Sequence, residues 1–150
     1  AHRFEHSLEV QLPFLQLAQP RLRMVPLVVS QLSYDDCRQV ARELAVAIGS
    51  LRRSVLLVAS TDMSHYESRQ QASRKDQLAI ERLLAMDPQG LYATVLGQRI
   101  SMCGIMPTTI ALLTAMELGA SRTELVRYTD SGEASGDTSQ VVGYAGLIIS

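Results

Sequence analysis

Val55-Leu56-Leu57-Val58-Ala59-Ser60-Thr61-Asp62-Met63-Ser64-His65-Tyr66 is an apolar run of strand length that ends abruptly in small and polar residues. A short apolar run bounded in this way suits a strand buried on both faces, as in a parallel sheet covered by helices. In open α/β sheets ligands sit just beyond the carboxyl ends of the strands, and Asp62 and His65 fall there. An imidazole exchanges protons near neutral pH, and a nearby carboxylate can orient it or stabilise its charged form. The same residues also suit a plain strand-to-helix turn, with Asp62 or Ser64 as its cap.

On the N-terminal side, Leu8, Leu12 and Leu15 repeat at helical spacing, and Pro13 requires that the helix kink or begin there. Glu5 and His6 stand just before it; such a pair is commonly a solvated loop. Leu22 to Val29 reads as a strand, with Pro26 marking an edge or a bulge. Ser33-Tyr34-Asp35-Asp36 is a helix start, Val40, Leu44, Ala47 and Ile48 form its apolar stripe, and Gly49 is its stop. Cys37, in the first turn of that helix, is expected to pack.

On the C-terminal side, residues 67–75 read as a solvated loop or an exposed helix start. A helix over about 74–85 follows, with Leu78, Ile80, Leu83 and Leu84 as its apolar positions. Asp87-Pro88 breaks it, and a short helix through Leu91 and Val95 ends at Gly97. In Ile100-Ser101-Met102-Cys103-Gly104-Ile105-Met106-Pro107, Pro107 fits the first position of a helix that stops at Gly119. A cysteine just ahead of a helix N-terminus is placed to act as a nucleophile or a soft metal ligand; it is equally placed to be a small buried hydrophobe. Residues 124–128 and 141–149 read as strands, and the polar stretch 129–140 as a loop long enough to serve a function.

The 150 residues suffice for one domain with its own core. With 47% hydrophobic and 19% charged residues the chain is globular, and a net charge of −1 with dispersed basic residues gives no case for nucleic acid or an anionic membrane. No apolar run reaches the roughly 20 residues that cross a bilayer. Two cysteines make neither a disulfide framework nor a metal-ligand spacing by themselves, so a reducing cytoplasm is the expected setting. Ala1-His2-Arg3-Phe4 lacks an initiator Met and runs straight into patterned sequence, as expected for a domain or fragment of a longer chain.

Four segments in register carry a more specific signal. Residues 5–13 (EHSLEVQLP), 60–66 (STDMSHY) and 102–107 (MCGIMP), with Ser131-Gly132, Gly136-Asp137 and Val142-Gly143-Tyr144-Ala145, together resemble the Memo family. Its bacterial and archaeal members are called AmmeMemoRadiSam system protein B. The resemblance implies an α/β fold like that of class III (LigB-type) extradiol dioxygenases: a mixed, largely parallel sheet flanked by helices. It also implies that residues 1–150 are the C-terminal portion of a Memo-like domain, the N-terminal half being absent. The absent half would leave a sheet edge or face exposed.

By the same resemblance Cys103 is the metal-ligating thiolate, His65 the cleft histidine matching the dioxygenase acid/base, and Asp62 its neighbour. Glu5 and His6 are further cleft candidates. The implied metal is iron(II) or copper. The family's two metal-ligating histidines have no counterpart here, so little or no metal binding by these residues is expected. Two functions follow from the likeness. One is a metal-dependent redox role at a vestigial or modified non-haem site. The other is a non-enzymatic, peptide- or protein-binding role beside a radical-SAM protein and an AMMECR-type protein.

Overall fold

The computed structural model describes residues 6–150; Glu5, a candidate from sequence, lies outside the described residues. A short 3-10 turn at Glu9–Gln11 runs into helix α1 (Leu12–Ala18), which carries Pro13 in its first turn. Proline's missing N–H costs nothing there, so the helix begins at the proline instead of kinking. Helix α2 (Tyr34–Gly49) is opened by a reciprocal capping box between Ser33 and Asp36. Cys37 is fully buried on α2, and burial pushes its thiol pKa up, as a packing residue requires.

Helix α3 (Arg69–Leu84) makes most of 67–75 the exposed helix start of the two alternatives, because the Ser68 side chain accepts from the Gln71 N–H and caps it. Its buried stripe is Ala72, Asp76, Ala79, Ile80 and Leu83. Leu78 and Leu84, expected in that stripe, are 38% and 40% exposed. Helix α4 (Pro88–Gly97) follows as expected, whereas α5 (Ile105–Glu117) opens two residues ahead of Pro107, the residue expected at its first position; α5 packs on α2 while α4 bridges α3 and α5. Met63, Ile80, Leu83, Leu91, Val95 and Leu112 centre the main core. A smaller cluster of Cys37, Ala41 and Ile110 joins α2 to α5.

The fold is α/β, but its sheet is antiparallel. Strands β1 (His65–Glu67), β2 (Thr123–Asp130) and β3 (Val141–Ile149) lie in the order β1-β3-β2, and both pairings are antiparallel. The reason lies in the connections. Residues 131–140 between β2 and β3 hold only the one-turn helix α6 (Gly132–Ser135). They are too few for the crossover of a dozen or more residues that a parallel pair needs. One face of the sheet rests on α3, and Val126 and Ile148 point away from it at 62% and 59% exposure.

The two other segments read as strands do not pair. Residues 22–29 and 55–59 are in no strand of the described residues. None of the backbone–backbone hydrogen bonds among those residues involves 23–31 or 54–62. Val25 and Leu56 are 83% and 78% exposed. The apolar pattern marks a need for burial that the described residues meet only in part, as where Val29 packs against the Cys37, Ala41 and Ile110 cluster. No helix among the described residues is long and apolar enough to cross a membrane.

Candidate metal centre

Two turns converge just before β1. The stretch 60–64 enters the core at Met63, where its N–H bonds the Gly143 carbonyl of β3. His65 then opens β1. The strand bulges at the next residue, since His65 and Glu67 oppose the adjacent residues Val142 and Val141. Tyr66, the inserted residue, sits in the left-handed region at φ 57°. A bulge re-aims the side chains beside it, and a non-glycine residue in this conformation is held there by its surroundings at some cost. From the other side, Met102-Cys103-Gly104 leads into α5.

The two turns touch because residue 104 is glycine. A Cβ built there would stand 2.4 Å from the Thr61 Cβ and 3.0 Å from the Ser60 carbonyl oxygen. The Gly104 N–H donates to Thr61 Oγ1 at 2.8 Å, and the Asp62 N–H donates to Cys103 Sγ at 3.3 Å. The His65 N–H donates to Ser101 Oγ at 2.7 Å, and His65 Nδ1 lies 2.6 Å from the Ser101 carbonyl. A carbonyl can only accept, so Nδ1 is the donor there and Nε2 is the nitrogen left to face the cluster, the arrangement found in histidines that bind metals. Nε2 faces Asp62 Oδ2 at 3.6 Å. Ser101 thus holds the ring at one nitrogen, and Asp62 meets the other.

One oxygen of Asp62, one nitrogen of His65 and the sulfur of Cys103 all lie within 4.8 Å of one another. The His65 and Asp62 side chains are 21% and 47% exposed, and Cys103 is exposed as well. The set fits a divalent cation: thiolate and carboxylate supply two negative charges, imidazole a neutral donor, and the exposed side leaves room for further ligands. Open metal sites use about three protein ligands. The expectation of too few donors counted Cys103 and His65 alone; Asp62 stands beside them as a third candidate donor. A thiolate beside an imidazole suits iron(II) or copper better than magnesium or calcium.

Of the other candidates, His6 does not join the cluster. Its side chain is 72% exposed and Nδ1 pairs with Glu9 at 3.0 Å. Its neighbour Ser7 does reach the turn, since its carbonyl accepts from Ser60 Oγ at 2.7 Å.

Thr61 and Ser101 were not singled out from sequence, though both stand inside the quoted motifs. Tyr144 was not singled out either. Its phenol pKa is raised, by burial first and by the Asp62 charge second. It lines a hollow of about 550 Å³ with Thr129, Asp130, Ser131 and Glu133. A second hollow of about 360 Å³ opens at Cys103 itself, walled by Leu96, Met102, Ile105, Met106 and Pro107.

The loop after β2 is pinned to α3. The Arg69 guanidinium forks onto both oxygens of Asp130 at 2.7 Å. That contact and the Gly132 N–H hold the Asp130 pKa below its ordinary value. Because the folded pKa is depressed, the link contributes at pH above the ordinary aspartate range and is lost as pH falls through the lowered value. We expect Asp130→Asn to melt below the unsubstituted protein at pH 7. The gap should narrow as the pH falls below the ordinary aspartate range and through the lowered value, as followed by circular dichroism melts.

Residues 1–148 match the family described as Memo-like protein. A MEMO1 family protein of Methanopyrus kandleri is 42% identical over 149 residues, covering 99% of this chain and 53% of that relative. MEMO1 family proteins of Aquifex aeolicus and Archaeoglobus fulgidus are 38% and 39% identical, again over 99% of this chain, and 55% and 56% of their own lengths are covered. The chain therefore spans about half the length of the curated relatives it matches. On this match over nearly its whole length, the chain belongs to the Memo-like family.

Proposed function

We propose that this chain carries an open transition-metal site built from Asp62, His65 and Cys103, suited to iron(II) or copper, and that it serves a metal-dependent redox role of dioxygenase ancestry. The observation that carries the proposal is the convergence of three donor atoms of different type within 4.8 Å. When bound, such an ion supplies Lewis acidity and one-electron chemistry. The protein's own contribution is to hold the donors and to shape what reaches them. Ser101 fixes the imidazole tautomer through Nδ1. The Asp62 N–H donates to the sulfur and shares its charge. The hollow at Cys103 is walled mostly by apolar side chains, which favours an apolar portion of a substrate next to the thiolate. A thiolate in place of a second imidazole separates the site from the two-histidine, one-carboxylate set of common non-haem iron oxygenases.

Anaerobic titration with iron(II) and with copper(I), followed by calorimetry, tests this reading. One equivalent of either metal bound at micromolar affinity or better supports it, and absence of binding for both overturns it.

A second reading is favoured by the exposed segments 23–29 and 55–59, which make no backbone–backbone hydrogen bond among the described residues. Extended apolar backbone with free N–H and C=O groups is a template for strand addition by a peptide or a partner protein. On this reading the chain is the binding component of a radical-SAM-associated modification system with an AMMECR-type protein. Calorimetry against the purified radical-SAM and AMMECR-type proteins, with Leu56→Lys as the variant, tests it. Binding weakened tenfold or more by Leu56→Lys supports it, and no heat of binding with either protein overturns it.

A further inference from the structure

The metal-site reading leaves unexplained a carboxylate sealed in the core. Asp76 is 0% exposed, in the apolar stripe of α3. Its Oδ1 accepts from the Ser64 N–H at 2.9 Å, and its Oδ2 accepts from the Tyr128 hydroxyl at 2.8 Å. Burial and the bond to Asp76 both push the Tyr128 phenol pKa well up, so it stays a donor. No cation is within salt-bridge reach of Asp76 among the described residues. A buried carboxylate so placed is costly unless its acceptor bonds are specific.

Those bonds end at the turn that carries the metal donors. Ser64 lies between Asp62 and His65 and is itself fully buried. Its carbonyl accepts from the Gly143 N–H at 2.9 Å, and the Gly143 carbonyl accepts from the Met63 N–H at 2.9 Å. The strand β3 therefore grips one side of the turn, and Asp76 takes the remaining amide. Gly143 also makes room for it: a Cβ there would lie 2.0 Å from Asp76 Oδ2.

We infer that Asp76 is a positioning residue of the metal site: its carboxylate, fixed by Tyr128, clamps the Ser64 amide and so sets the separation of Asp62 and His65. This rests on the metal-site reading above. It predicts a chemical asymmetry between substitutions. Asn keeps an oxygen for the Ser64 N–H, and its amide N–H can donate to the Tyr128 oxygen, which accepts once its own proton turns away. Ala leaves the buried Ser64 N–H unpaired and takes the carboxylate acceptor from the Tyr128 hydroxyl.

The test uses cobalt(II) titration of the full chain, with the sulfur-to-cobalt charge-transfer band and the visible ligand-field bands as readouts. Asp76→Ala should weaken cobalt binding tenfold or more, the range typical of lost outer-shell partners, and should alter the ligand-field bands. Asp76→Asn should stay within about threefold of the unsubstituted protein. Leu83→Ala, a core truncation away from the turn, should lower the melting temperature without changing affinity or spectrum.

Amide hydrogen exchange of the metal-free protein decides the inference independently. Exchange at Ser64 and His65 should accelerate in Asp76→Ala, and in Gly143→Ala should the former not fold, while Asp76→Asn restores protection. Unchanged exchange at these amides overturns the inference whatever the metal does. Equal cobalt affinity and spectrum in folded Asp76→Ala overturns it as well. Absence of cobalt–sulfur absorption in the unsubstituted protein overturns the metal-site reading instead.

Discussion

Cys103→Ser will remove the sulfur-to-metal charge-transfer band and weaken iron(II) or copper binding by at least a hundredfold, with the fold intact. The sulfur is the soft donor of the set, and a hydroxyl is a poor replacement because it is neither anionic at neutral pH nor polarisable. The folded state has little to lose. Cys103 is exposed, and its contacts with Asp62 and Thr61 lie at 3.3 Å or longer. A change in melting temperature of less than about 2 °C is expected in the absence of metal, since surface changes usually stay within about 0.5 kcal/mol. In the presence of metal the unsubstituted protein gains stability by mass action and the variant does not. The measurement is a pair of thermal melts, with and without ion, beside an absorption titration. Equal metal-dependent stabilisation of the two proteins would show that the sulfur is not a ligand.

Gly104→Ala has the second large effect, on stability and site together. The added methyl would overlap Thr61 and press on the Ser60 carbonyl. The Thr61 side chain could yield only by giving up its bonds to the Gly104 N–H and the Asp62 carbonyl. Overpacking of this kind costs roughly 1–3 kcal/mol, or several degrees in melting temperature for a domain of this size. The two turns must also separate, and Cys103 then draws away from Asp62 and His65. A tenfold or greater loss of cobalt affinity is expected alongside the lowered melt, measured by circular dichroism and absorption titration. A variant that melts lower but binds cobalt unchanged would mean the close approach of the two turns does not set the donor geometry.

Much of this arrangement was legible in residue order. Helix ends could be placed because their chemistry is local: Pro13 opens α1, Ser33 and Asp36 close a box on α2, and Asp87-Pro88 separates α3 from α4. Asp62, His65 and Cys103 could be singled out because polar and sulfur side chains followed apolar runs at turns. That they meet was an expectation from family likeness, and Asp62 and Cys103, 41 positions apart, are joined by a hydrogen bond.

Strand pairing was not legible. The run 55–59 has the composition of a doubly buried strand, yet composition reports a need for burial and not which backbone supplies it. The antiparallel sheet is set by the short 131–140 link and by the bulge at Tyr66, neither of which apolar periodicity records.

Asp76 was missed for a related reason. The polar run from Glu67 to Lys75 reads as solvated, and Leu78 and Leu84 draw the apolar stripe toward the wrong face. Ala72, Asp76, Ala79, Ile80 and Leu83 share helical spacing. A carboxylate on that stripe was the available signal.

The measurement that bears most directly on the central claim is the zinc K-edge extended X-ray absorption of the protein loaded with one equivalent of zinc, a redox-silent stand-in. A site formed by Asp62, His65 and Cys103 gives one sulfur scatterer at about 2.3 Å and nitrogen or oxygen scatterers at about 2.0–2.2 Å, with imidazole multiple scattering that disappears in His65→Ala. A first shell of oxygen and nitrogen alone, unchanged by Cys103→Ser and His65→Ala, would contradict it.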